Sequence, residues 1–219
     1  MPTTSTTSVC LVLDKSGSMQ SVYEDALGAV NGYITRAKQD RNLYEARFSL
    51  ITFNSQGVDT IRKDEIMKTV KLIEPGEFSC AGMTPLSDAV GRGVGILDEA
   101  AADKDGTKAI LVVMTDGMEN DSREFDHAKI TGLIKDRQDK GWLVVFLGEG
   151  LDVAKQGEAM GAAKASVASY LGGKGLRAAG DVVARSSARY ASWSGDIRKA
   201  RDKAAFAPAE RDELAGKKK

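Results

Sequence analysis

Four runs of consecutive apolar, β-favouring residues punctuate the chain, at 9–13 (VCLVL), 46–53 (ARFSLITF), 109–114 (AILVVM) and 142–147 (WLVVFL). Between them the apolar positions recur every three or four residues. Val22, Ala26, Val30, Tyr33, Ile34 and Ala37 form one such set, and Leu86, Ala89, Val90, Val94, Leu97 and Ala101 another. That spacing lays a single stripe along a helix, so helices are predicted over 22–38 and 86–101, with a third over 124–139 turning Phe125, Ile130, Leu133 and Ile134 inward. Strands that are apolar at every position are buried on both faces, and a helix between successive strands makes a right-handed crossover. The pattern therefore predicts a doubly wound α/β domain, a mainly parallel sheet with helices on both faces.

Asn54-Ser55-Gln56-Gly57 is a turn signal after the second run, so Val58 to Arg62 is expected to return as one short antiparallel edge strand, followed by a brief helix over 64–71. Beyond Gly150 the pattern predicts a helix over 151–160, a short strand at 166–170, a break at Gly172-Gly173 and a closing helix over 175–193. In that helix Leu176, Ala179, Val183, Tyr190 and Trp193 share a face. Residues 1–8 read as a flexible start, 9–195 as the folded domain, and 196–219 as a charged tail, helical or disordered, that is solvated and frayed toward Lys217-Lys218-Lys219.

Composition narrows the function classes. A chain of 219 residues with 42% hydrophobic content fills one large core. Lys plus Arg and Asp plus Glu both number 31, so no global basic field exists to hold nucleic acid or an anionic membrane. No apolar run approaches the roughly 20 residues of a membrane span, and MPTTSTTS lacks the pattern of a secretory signal, so a cytoplasmic protein is expected. Two cysteines make no disulfide framework; Cys10 is read as a core thiol and Cys80 as a reduced thiol beside a glycine loop.

The chemistry lies at strand ends. Asp14, Ser16 and Ser18 leave the first strand at alternate positions, Thr115-Asp116-Gly117 ends the run at 109–114, and Ala81-Gly82-Met83-Thr84-Pro85-Leu86 presents a hydroxyl just before a helix. In an open parallel sheet, ligands bind outside the carboxyl ends of strands where the strand order reverses, so these segments are expected to converge. Two carboxylates and three hydroxyls, with no thiolate or imidazole, suit a small hard dication: Mg²⁺, with Mn²⁺ or Ca²⁺ as alternatives. Neutral hydroxyls leave such an ion short of negative charge, a deficit that an acidic side chain of another protein would fill.

Asp14-x-Ser16-x-Ser18, then Thr84, then Asp116 resembles the metal-ion-dependent adhesion site (MIDAS) of the von Willebrand factor A (VWA) domain family, and the strand pattern from residue 9 to about 170 is similar to that family's. The resemblance implies a Rossmann-like sheet. It implies direct metal contacts from Ser16, Ser18 and Thr84, with Asp14 and Asp116 balancing charge mostly through water. It also implies a protein partner whose carboxylate completes the metal shell. Phe146-Leu147-Gly148, Asp152, the Gly157 to Gly161 region and the segment 190–193 resemble compact, stand-alone prokaryotic or phage-type members.

Several residues carry two readings. Met19, Met83, Met114 and Met118 are packing or a soft apolar rim around the metal; Glu119, Asn120 and Asp121 are a solvated loop or a modulator of the open coordination position. His127, the one histidine, reads as a surface side chain, and GRGVG at 91–95 lacks nucleotide-loop spacing, its glycines instead permitting close helix-sheet approach. The expected function is a non-catalytic, Mg²⁺-dependent module that recognises an acidic residue of a protein partner, with no direct nucleic-acid or membrane contact. The rival is a Mg²⁺-dependent phosphohydrolase with Asp14 as nucleophile, which wants a second acid two residues on, where Ser16 stands. A nucleoprotein-associated scaffold is the third reading.

Overall fold

Residues 6–101 and 107–217 are described by the computed structural model. The expected flexible start falls in part, at 1–5, and the lysine-rich end in part, at Lys218 and Lys219, outside the described residues; Thr7 and Ser8, expected to be flexible, are instead buried in the first strand and paired with Lys108 and with Arg47 and Ala109. The chain runs β1 (Thr7–Asp14), α1 (Tyr23–Gln39), β2 (Arg47–Asn54), β3 (Gly57–Ile66), α2 (Leu86–Ala101), β4 (Lys108–Thr115), α3 (His127–Asp139), β5 (Leu143–Glu149), α4 (Gly150–Ala159), β6 (Val167–Tyr170), α5 (Gly172–Ala191), α6 (Ile197–Ala204) and α7 (Pro208–Leu214).

The strands form one six-stranded sheet in the order β3-β2-β1-β4-β5-β6. Every neighbouring pair is parallel except β2 and β3. From β1 the chain winds outward to β2, then returns to place β4 on the other side of β1 and winds the opposite way through β5 and β6. The order thus reverses between β1 and β4, and the carboxyl ends of these two strands open the crevice that such a reversal creates.

Alternation along β1 divides the core in two. Val9, Leu11 and Leu13 face α1 and α5 together with Leu50, Val112 and Val145; Cys10 and Val12 face α2 and α3 together with Ile51, Leu111 and Phe146. Both faces are apolar because both are covered, as the unbroken runs require. Gly93 of α2 shows how closely a helix approaches: a β-carbon there would lie 2.8 Å from Val12 and 2.9 Å from Leu111, so this glycine of GRGVG serves packing.

Two segments differ from expectation. The helix expected over 64–71 gives way to a longer β3, which pairs Ile66 with Arg47, and to a single 3-10 turn at Met67–Thr69. Pairing with β2 outweighs local propensity here, through a register shift around Leu50. At this irregularity Asp64 takes a left-handed conformation (φ 51°), donates its N–H to the Ser49 hydroxyl and receives the Arg47 guanidinium on both carboxylate oxygens.

The carboxyl-terminal segment is folded rather than frayed. α6 and α7 pack on α5 and bury Ala200, Ala204, Phe206 and Leu214. Glu210, 7% exposed, receives Arg189 at 2.9 Å and Arg185 at 3.3 Å, and Arg185 also meets Glu213 at 2.9 Å. This segment also closes the open edge of the sheet: Arg211 donates to Val167 O (2.8 Å), Phe206 N–H to Ala165 O (3.2 Å) and Leu171 N–H to Leu214 O (3.1 Å). Trp193 lies past the end of α5, while Tyr190 stays in the core with its hydroxyl donating to Gly141 O. Among the described residues no helix is long and apolar enough to cross a membrane.

Candidate metal centre at the carboxyl edge of the sheet

Asp14 closes β1 with its side chain wholly buried. A buried carboxylate needs donors, and it has two: Ser16 N–H reaches Oδ1 at 2.6 Å, and the Thr115 hydroxyl, at the end of neighbouring β4, reaches Oδ2 at 2.5 Å. Burial pushes the Asp14 carboxyl above the usual range; the bonds from Thr115 and Ser16 oppose this, and the Asp116 charge adds to it.

The loop after β1 carries the hydroxyls. Ser16 Oγ and Ser18 Oγ stand 3.2 Å apart, and Ser18 donates to Asp116 Oδ1 at 2.7 Å. Burial also raises the Asp116 carboxyl, against the bond from Ser18. The two aspartates are thus linked through the serines, and burial disfavours the charge on each, a cost that a neighbouring cation would offset.

Thr84 arrives from the third loop. Ala81 N–H donates to Lys15 O (2.9 Å) and Gly17 N–H to Gly82 O (3.0 Å), which fastens the segment before α2 alongside the serine loop. Thr84 is 3% exposed, and its backbone is held by Asn120, whose Oδ1 accepts Thr84 N–H (2.8 Å) and whose N–H donates to Thr84 O (3.2 Å). Gly117 completes the convergence. A β-carbon at that position would sit 3.0 Å from Thr84 Oγ1 and 3.7 Å from Asp14 Oδ2, so a larger residue would fill the space between the two loops. Asp14 at the end of β1, and Ser16, Ser18, Thr84 and Asp116 in the loops, thus meet at the reversal point.

Residues 8–171 match the family model of the von Willebrand factor type A domain. The chain belongs to that family. No curated protein matches it. Among solved structures it is similar to proximal thread matrix protein 1 from the mussel byssus, at 17% identity and a TM-score of 0.65, covering 82% of this chain and 47% of that one. It is likewise similar to the pilus adhesin SpaC from Lactobacillus rhamnosus GG in its open conformation, at 15% identity and a TM-score of 0.67, covering 84% and 30%. The third is the vWF domain of the type V pili tip protein Mfa5 from Porphyromonas gingivalis, at 10% identity and a TM-score of 0.65, covering 89% and 98%. The chain spans about half the length of the mussel protein. These likenesses establish the fold, a mostly parallel α/β sheet; domains of this family are commonly protein-interaction modules.

The donor set of this VWA domain fits a hard dication. Cis ligands of an octahedral ion at Mg²⁺ distances lie about 2.9 Å apart, close to the 3.2 Å between Ser16 and Ser18. Among the described residues no cluster of three or more His, Cys, Asp or Glu side chains is poised for a metal, so a cation here would depend on hydroxyls. The Lys15 ammonium, beside Asp14 in sequence, pairs instead with Asp59 of β3.

Sequence reasoning missed the residues that hold the loops in place. Glu119 is half-buried and Asn120, although exposed, holds Thr84, so this loop does more than meet solvent. Glu119 accepts Ser87 N–H (2.6 Å) at the start of α2 and the Ser122 hydroxyl (2.6 Å) and N–H (2.9 Å). Burial alone would raise the Glu119 carboxyl, yet the bonds from Ser122 and Ser87 outweigh it and hold it below the usual range. In return Asp88 of α2 accepts the N–H groups of Arg123, Glu124 and Phe125 at 2.8–3.0 Å. Two carboxylates therefore tie α2 and the loop after β4 together from opposite sides. The available signal was an acid in each segment near a helix N-terminus.

The methionines divide. Met19 and Met114 are core, whereas Met83 and Met118 are about half exposed beside Thr84 and Gly117. Burial and the Asp14 and Asp116 charges push the free Cys80 thiol up to about 11, and burial pushes Cys10 up to about 12, so neither is a thiolate near neutral pH. His127 is exposed at the start of α3.

Proposed function

We propose that this VWA domain is a divalent-cation-dependent protein-binding module of the MIDAS type. Ser16, Ser18 and Thr84 would hold Mg²⁺, with Mn²⁺ or Ca²⁺ as substitutes, and Asp14 and Asp116 supply the compensating charge. The metal's chemistry is attraction for one anionic oxygen from outside, and the partner's contribution is an acidic side chain.

The observation that carries this reading is the convergence itself: a Ser16–Ser18 pair bonded to Asp116, facing a Gly117 cradle bordered by Thr84 Oγ1 and Asp14 Oδ2. Asp14 is suited to a supporting role. Both its oxygens are engaged by Ser16 and Thr115 and it is fully buried; a phosphohydrolase nucleophile would have to be presented to substrate. Balanced charge argues against direct nucleic-acid contact.

Isothermal titration with MgCl₂ tests the reading. One saturable site is expected in the wild-type protein, with heat lost in Ser16→Ala and Thr84→Val proteins that remain folded. Absence of Mg²⁺, Mn²⁺ and Ca²⁺ binding by the wild-type protein overturns it.

A further inference from the structure

Six large hydrophobic side chains are exposed among the described residues, and four of them, Met83, Met118, Leu151 and Leu171, emerge at the carboxyl edge of the sheet. Their exposures are 49%, 51%, 70% and 53%. Tyr44, by contrast, follows α1 at the other end of the sheet, and Leu72 lies where Arg62 of β3 donates to its carbonyl. Scattered apolar side chains need no explanation, whereas a group of them at one face marks an interaction surface.

The group is also ordered. Met118 follows β4, Leu151 follows β5 and Leu171 follows β6, and these strands are consecutive in the sheet. Neighbouring strands are about 4.8 Å apart, so from a centre between β1 and β4 the loops after β5 and β6 lie about 7 and 12 Å away. In an extended peptide, side chains on one face recur about every 6.8 Å, so an acidic residue seated at the centre places its second and fourth neighbours about 7 and 14 Å along. The nearer spacing agrees, and the farther differs by about 2 Å, which the length of a leucine side chain spans.

We propose that this edge docks an extended segment of a partner protein in which one acidic residue is accompanied, two and four positions away on one side, by large apolar side chains that rest on Leu151 and Leu171, with Met83 and Met118 framing the acid. The proposal rests on the metal-dependent reading above. The occupant follows from charge and polarity together: a cation-filled centre calls for a single carboxylate, and apolar neighbours favour uncharged, bulky flanks over a second acid.

The test is selection from a peptide library with one fixed glutamate and random flanks, displayed against the immobilised full chain in MgCl₂. Enrichment of Leu, Ile, Met or Phe two and four positions to one side of the glutamate is expected. The preference should fall about fivefold at the nearer position with Leu151→Ser and at the farther one with Leu171→Ser, thermal unfolding showing that both variants fold. Capture that needs Mg²⁺ and the glutamate but shows no apolar preference, or a preference unchanged in both variants, overturns the docking proposal and leaves the metal reading standing. Capture indifferent to EDTA and to glutamate→glutamine defeats both. Self-association that rises with concentration and disappears in Leu171→Ser protein overturns it in favour of a second copy of the chain.

Discussion

Ser18 donates its hydroxyl hydrogen to Asp116 Oδ1 at 2.7 Å, joining the loop after β1 to the loop after β4 across 98 positions of sequence. A serine so placed can present its lone pairs to a cation while its proton is spoken for, which is how an outer carboxylate orients and strengthens a neutral ligand. Asp116→Asn should lower Mg²⁺ affinity by about 10- to 100-fold, read by calorimetry, with the unfolding midpoint in EDTA little changed. Equal affinity in the variant would remove Asp116 from the site.

Cation binding to the folded state alone should appear as stability. At a free Mg²⁺ concentration of about 100 times Kd the gain is about 2.7 kcal/mol, or roughly 5–10 °C in Tm for a chain of this size. Adding EDTA should reverse it, and Thr84→Val should abolish it. Identical melting curves with and without Mg²⁺ would count against a cation bound at these residues.

Thr115 is fully buried, and its hydroxyl is one of two donors to Asp14. Thr115→Val keeps the shape and deletes the donor, so a cost of about 1–3 kcal/mol is expected from urea unfolding of the metal-free protein. A loss below about 0.5 kcal/mol would mean that Asp14 does not depend on this bond.

Acid should loosen two ties. Glu119 and Glu210 are both held below the usual carboxylate range: burial opposes this in each case, but Ser122 and Ser87 prevail at Glu119, and Arg189, Ala207 N–H and Arg185 prevail at Glu210. Groups with lowered pKa values stabilise fully above the unfolded value of about 4.3 and lose that contribution as pH falls through the folded value. Stability should therefore decline below about pH 4.5, and less steeply in Glu119→Gln and Glu210→Gln proteins. An unchanged acid limb in both variants would assign the decline to other groups.

The segment from α6 onward has a different kind of test. It bonds to Val167 at the start of β6 and to Ala165 and Leu171 on either side of that strand, and an uncovered edge strand is a template for pairing between chains. Deletion of residues 197–219 should lower the unfolding midpoint and raise light scattering on warming. A truncated protein that stays monomeric and as stable as the full chain would show the covering to be dispensable.

Local pattern alone determined the strands apart from the length of β3, the helices between them, and the strand ends and turns at which the oxygen-bearing residues stand. Continuous apolar runs admit burial on both faces only, and a turn at a buried strand's end is where polar chemistry must emerge, so Asp14 and Asp116 were legible without coordinates. Tertiary structure decided the rest, because those outcomes depend on partners distant in sequence. The extension of β3 through Ile66 followed from pairing with Arg47, the folding of the charged tail from Arg185 and Arg189 meeting Glu210, and the division of four methionines from the core that packs over Met19 and Met114 but not over Met83 and Met118. The roles of Glu119 and Asn120 were hidden for the same reason: a carboxylate or amide in a loop reads as solvated until the N–H groups of another segment, here those of Ser87 and Thr84, are brought against it.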